Sequence, residues 1–285
     1  MAQGKSREQG FTLIELSIVL VIIGLIVGGI LVGQDLIKAA EVRAQISQIE
    51  KYNSAVNTFR GKFNAIPGDM AVSTATQFGF VGASCSGTRG ARDGNGLLEG
   101  VSPWPLLQTD GELALFWQDI SSSIAGNLID GQFPNSGAPA FGCVSSVNPV
   151  TTTPGSSYIG DYLPLGKIGH GTFVYVYSNS GSNWYGLSTV SNLNGGYINL
   201  GLSAGVGIPV VQAYSIDNKI DDGLPTTGAV QAIYVNSSVT ALTNAPNPAT
   251  DTTTSCYNTT SNVYSIGTAA DYGAHGNCAL SFRFQ

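Results

Sequence analysis

From Leu16 to Gly33 the chain reads LSIVLVIIGLIVGGILVG, eighteen residues without a charge. As a helix rising 1.5 Å per residue this run spans about 27 Å, close to the hydrocarbon thickness of a bilayer. It predicts one membrane-spanning helix. Beyond it the pattern changes. Val42, Ile46, Ile49, Tyr52, Val56, Phe59 and Phe63 recur at intervals of three and four, the spacing of a helix with one buried face. No proline or glycine interrupts residues 34–60, and Pro67-Gly68-Asp69 ends the pattern. A single helix of about fifty residues is therefore expected, from near Thr12 to near Asn64, apolar all round at first and amphipathic later.

The remainder predicts shorter elements. Thr109-Asp110-Gly111-Glu112 has the capping-box pattern, and apolar residues follow at helical spacing, so a helix is expected over 110–125. A second short helix should start at Pro209 and stop at Gly223. Strands are expected at Phe173–Tyr177, Trp184–Val190, Tyr197–Leu200, Ala229–Val235 and Ala279–Phe284, each rich in β-branched or aromatic residues and bounded by turn formers. A long helix followed by antiparallel strands indicates an α+β fold, with the sheet of a globular head lying on the amphipathic half of the helix. The segments 145–158 and 237–255, low in complexity, read as solvent-facing loops or a displayed face.

Composition narrows the function. Only 11% of the 285 residues are charged and 43% are hydrophobic, with a net charge of -6. Residues 1–92 carry nine cations against six acids, whereas from Asp93 onward three cations stand against twelve acids. An acidic body of this kind lacks the basic surface that nucleic acids require, so no nucleic-acid partner is expected. Lys5 and Arg7 precede the apolar run, which by the positive-inside bias keeps that end cytoplasmic. The run is longer than a secretory signal core, and no A-x-A site follows it. Glu15 is the exception within the segment. A carboxylate at the mouth of a membrane helix is costly unless it finds a partner, or snorkels to the interface.

Gly10-Phe11-Thr12-Leu13-Ile14-Glu15, with basic residues before it and an unbroken apolar helix after it, resembles the class III signal of type IV pilins and of the pseudopilins of type II secretion. The resemblance implies an inner-membrane protein with a periplasmic head. It also implies cleavage between Gly10 and Phe11 by prepilin peptidase, N-methylation of Phe11, and assembly with other pilin or pseudopilin subunits into a filament. The domains expected are a cleaved leader 1–10, a pilin-type helix 11–64 with 11–34 in the membrane, and a globular α+β head 65–285. In a dry bundle of such helices Glu15 needs a cation, and the amine of Phe11 from a neighbouring subunit is the nearby candidate; such pairing would set axial register. The role implied is structural and non-enzymatic. The alternative is a minor or tip pilin whose head is an adhesin or substrate-binding module.

Cys85, Cys143, Cys256 and Cys278 suggest two disulfides in an exported head. Three pairings are open. The preferred set is the unnested one, Cys85–Cys143 with Cys256–Cys278, of which the second resembles the C-terminal loop of many type IV pilins. Other chemistry is sparse. Asp93, Asn95 and Glu99 resemble the opening of a calcium loop, although Leu97 stands where a third ligand belongs. No other cofactor is expected. Asp217 to Pro225 is a dense charge cluster in which Asp221 and Asp222 oppose the helix dipole, a reason to look for a cation or a partner lysine. Gly201-Leu202-Ser203-Ala204-Gly205 matches the hydrolase elbow, with Asp217 and His275 in triad order. An elbow requires a helix at the serine, however, and Gly205, Gly207 and Pro209 follow instead.

Overall fold

The computed structural model describes residues 12–80, 82, 92–100, 111–133, 156–195, 200–235, 242–244, 255–266 and 276–284. The chain divides into two compact units, Met1–Glu41 and Val42–Gln285. Helix α1, Leu13–Phe63, runs through both. In the first unit its large apolar side chains, from Leu13 to Ile37, are all half or more exposed. This is the one helix among the described residues long and apolar enough to cross a membrane.

In the second unit α1 buries Val42, Ile49, Tyr52, Val56 and Phe59, while Ile46 and Phe63 are partly buried, so the expected stripe faces the core. Asn64 adopts a left-handed φ of 52° and ends the helix ahead of Pro67. Helix α2 follows at Val72–Phe78 and closes on Gly79 in the left-handed cap conformation. Helix α3 is Gly111–Ser121 and α4 is Val210–Ile220, preceded by Pro209. The strands are β1 Thr172–Asn179, β2 Ser182–Gly195, β3 Leu200–Gly205, β4 Ile208–Pro209, β5 Val230–Gln231, β6 Ile233–Val235, β7 Leu242–Asn244, β8 Tyr257–Asn258, β9 Val263–Tyr264, β10 Gly276–Cys278 and β11 Leu280–Arg283.

The main sheet has the order β1-β2-β11-β5, all antiparallel, and β3 pairs with the second half of the long β2 after an irregularity between Val190 and Asn192. Three two-stranded ladders, β4/β10, β6/β7 and β8/β9, complete an α+β head. Period-two alternation sorts the side chains of the sheet. Tyr185 lies against Tyr52 of α1 and Phe116 and Trp117 of α3, with ring centroids 5.9, 6.1 and 6.4 Å away. On the opposite face Tyr177 donates to Ser281 Oγ at 2.8 Å, and Ser281 donates on to the carbonyl of Ile233 in β6 at 2.8 Å. Tyr175 and Gly186 are direct cross-strand partners. The Tyr175 ring occupies the space a Cβ on Gly186 would need, so glycine is required there by close approach.

Several expectations are adjusted. Helix α3 is shorter than 110–125, and Ser122–Gly126 turns away instead of continuing. The expected strand Ala229–Val235 is broken because Ala232 donates its N–H to the carbonyl of Pro225, leaving two short strands. The segment 200–205 is a strand, with Ser203 opposite Asn192, so no nucleophile elbow forms. Residues 197–199 of the expected strand Tyr197–Leu200, Thr109 of the capping box, His275, and nearly all of the two low-complexity segments lie outside the described residues.

Candidate functional site

The start of α1 is built by a capping box that the sequence reading did not single out. Thr12 donates its N–H and its hydroxyl to one Glu15 carboxylate oxygen, each at 2.7 Å, and the Glu15 N–H reaches Thr12 Oγ1 at 3.4 Å. The Thr-x-x-Glu spacing is the signature that reveals it. Glu15 therefore satisfies two donors at the helix start, where a negative charge also suits the dipole. The other carboxylate oxygen has no hydrogen bond among the described residues. Gly10 and Phe11, the expected cleavage and methylation positions, lie outside the described residues.

The head holds two polar clusters. In the first, the amides of residues 93–99 are all turned onto side-chain oxygens. Glu112 accepts from Asp93 and Glu99 at 3.2 and 3.0 Å. Asp69 accepts from Gly94 and Gly96 at 2.9 and 2.8 Å. Asp93 and Asn95 take the amides two residues on, and Asn183 in β2 takes that of Leu98. Burial pushes the carboxyls of both Asp69 and Glu112 above their usual range, and for Glu112 the nearby Asp69 charge adds to the effect.

Behind this loop Arg92 and Asp119, both side chains essentially inaccessible, form a bidentate pair at 2.9 and 2.7 Å. Asp119 also accepts the Gly68 N–H at 2.7 Å. The calcium candidates are thus placed differently from an EF-hand opening. The carboxylates that converge with Asp93 are those of Asp69 and Glu112, while Glu99 meets the cluster through its backbone N–H. Asn95 spends its Oδ1 on the amide of Leu97 and its Nδ2 on Asp93. Glu112, read from sequence as the partner of a Thr109 cap, is here an acceptor for two loop amides.

The second cluster is the end of α4. Asp217, fully buried, accepts from Tyr264 Oη at 2.8 Å and from the Gly223 N–H at 3.3 Å. Its carboxyl is pushed up to about 6, chiefly by burial. Asp221 accepts the amides of Ala229 and Val230, and Asp222 accepts from the Leu224 N–H and from Thr227 Oγ1. Backbone and hydroxyl donors meet these acids where a cation or lysine was suspected. The adjoining β8/β9 hairpin is tied back by a disulfide between Cys256 and Cys278, 22 residues apart. Closing a loop of that size stabilises the head by about 3 kcal/mol in the chain-entropy account. Cys85 and Cys143 lie outside the described residues.

A family profile, the prokaryotic N-terminal methylation motif, matches residues 5–31. The match covers the capped start of α1 and most of its uncharged run. The chain carries the signal of type IV pilins and pseudopilins. No curated protein and no solved structure matches it. The pilin-type signal marks the chain as a substrate of prepilin peptidase and is consistent with an N-terminal helix that anchors in a membrane. Sequence reasoning missed Asp69, Arg92, Glu112 and Asp119 as a connected set. Their positions span fifty residues of chain and have no common spacing.

Proposed function

We propose that this chain is a structural subunit of a type IV pilus or a type II secretion pseudopilus. The observation that carries the reading is the coincidence of the methylation motif with a helix whose apolar side chains are uncovered from Leu13 to Ile37. Such a surface can be dry in lipid or among copies of the same helix. In this scheme peptidase cleavage between Gly10 and Phe11 removes residues 1–10, Phe11 is methylated, residues 11–64 form the assembly helix, and residues 65–285 form the exported head. The segment 11–34 spans the inner membrane, amino end in the cytoplasm, until the subunit joins the filament.

Glu15 has a double part in this proposal. The oxygen held by Thr12 caps the helix start, and the other is available to the terminal amine of Phe11 from a neighbouring copy. Cleavage leaves Thr12 as the second residue, so the cap survives processing. Changing Glu15→Val should leave membrane insertion intact and abolish recovery of the chain in sedimentable polymer. Polymer yield equal to that of the unaltered chain would remove the pairing from the scheme.

A further inference from the structure

A groove of about 430 Å³ lies on the head between the amphipathic half of α1 and the turn before β1. Buried Tyr52 and Phe133 line its inner part, and exposed Ala44, Ser47, Lys51, Leu165 and Lys167 line its outer edge. Leu165 is 58% exposed. Gln48 holds the rim turn in place, donating to the Leu165 carbonyl at 2.9 Å. Lys51 pairs with Asp130 at 2.5 Å, which leaves Lys167 as the excess charge, so this rim is net positive on a head that is otherwise acidic. An apolar edge beside a net positive charge calls for an apolar edge beside a net negative one.

Among the described residues that feature occurs on the head itself. The turn after α4 projects Ile220 and Leu224, 39% and 37% exposed, on either side of Asp221 and Asp222, with Val263 of the adjoining hairpin 47% exposed. Lys219 precedes them, so the turn carries a net charge of one negative. The turn is rigid, because Asp217, Asp221 and Asp222 all hold backbone amides of the segment 223–230. Another exposed apolar pair, Phe78 and Ile124, is bordered by Lys62, which reaches the carbonyl of Ala125 at 2.6 Å and has the wrong sign for a lysine-rimmed groove.

We propose that the groove rimmed by Lys51, Leu165 and Lys167 receives the turn Ile220–Leu224 of a second copy of this chain. The two patches are different surfaces, so the contact is heterologous, the kind that extends into an open filament when its rotation does not close a ring. The proposal rests on the filament-subunit reading and supplies a contact between heads that reading lacks. Exposed ion pairs of this kind select register and partner more than they add affinity.

The test uses full-length chains carrying Leu165→Cys or Leu224→Cys, differently tagged, produced together and treated with a short thiol-to-thiol cross-linker. A mixed covalent dimer is expected, with none when Val72→Cys replaces Leu224→Cys. Lys51→Glu with Lys167→Glu should lower the mixed-dimer yield about two- to fivefold at low salt, the range of exposed ion pairs, while the arginine substitutions preserve it. Unchanged yield in the glutamate variants, or cross-linking of Leu165→Cys to a different protein in place of the Leu224→Cys chain, overturns the proposal. Sedimentable polymer without the mixed dimer overturns this contact and leaves the filament reading standing. Mixed dimer without polymer upholds the contact and removes the filament reading, and the absence of both removes both.

Discussion

Arg92→Met is the substitution that most sharply probes how the head is held together. Arg92 and Asp119 face each other through two hydrogen bonds of 2.9 and 2.7 Å, with side chains 0% and 1% exposed. Methionine replaces the stem of the arginine but none of its donors. Asp119 is then left as a buried carboxylate with one remaining donor among the described residues, the Gly68 N–H at 2.7 Å. Breaking one side of a buried pair costs about 3–5 kcal/mol, most of it the desolvated charge left behind. For a domain of roughly 150–250 residues, where each kcal/mol moves the midpoint by about 2–4 °C, the melting temperature should fall by about 6–20 °C. Thermal unfolding of the full chain in detergent, followed by the fluorescence of buried Trp117 and Trp184, measures this. Arg92→Met with Asp119→Leu should regain much of the loss, short of the roughly 1–3 kcal/mol for the orphaned Gly68 amide. A single variant within about 1 kcal/mol of the unaltered chain, with no recovery in the double, would refute the reasoning.

Two further outcomes follow from the same geometry. Gln45 is fully buried on α1 and accepts the amides of Lys167 and Ile168 at 2.7 and 3.2 Å. Gln45→Leu leaves the Lys167 N–H its second acceptor, Gln48 Oε1 at 3.3 Å, but removes the one for the Ile168 N–H, and should cost about 1–3 kcal/mol, read as a lower urea midpoint. Asp217 titrates near 6 in the folded head against 3.8 for the free group, so the native state binds the proton more tightly. Its contribution to stability is present in acid and is lost as pH rises from about 4 through about 6, by about 2–3 kcal/mol. Melting temperatures taken between pH 4 and pH 7.5 should decline less in Asp217→Asn, whose amide can still accept from Gly223 and donate to Tyr264. A decline of the same size in both proteins would assign it elsewhere, Asp69 and Glu112 having shifts of the same sign.

Legibility in the sequence followed periodicity. The apolar run and the stripe through Val42, Ile49, Tyr52, Val56 and Phe59 repeat over many turns, so α1 and its buried face could be read directly. Strands β1 and β2 were equally plain, because their aromatic and β-branched runs are long. Short elements were not. Helix α2 has seven residues and a weak pattern, and the break at Ala232 depends on a carbonyl seven residues upstream. Gln45 reads as a solvent-facing polar residue until the turn at 165–168 is seen to need an acceptor. The amide cage over residues 93–99 draws on Asp69, Glu112 and Asn183, which meet only through tertiary structure. The DGNG segment was recognisable as a tight, oxygen-lined turn, but sequence could not tell whether those oxygens serve an ion or the loop's own amides. At the amino end the Thr12-x-x-Glu15 spacing was available and overlooked, because the same carboxylate had a competing explanation in subunit pairing.

The account stands or falls on whether the apolar helix is kept and reused after its leader is removed. Mass spectrometry of the amino terminus of this chain, taken from sheared or sedimented polymer, addresses that directly. The predicted peptide begins at Phe11 and carries one additional methyl group on its amine. A polymer whose subunits still begin at Met1, or whose amino terminus lies beyond the apolar run, would contradict it.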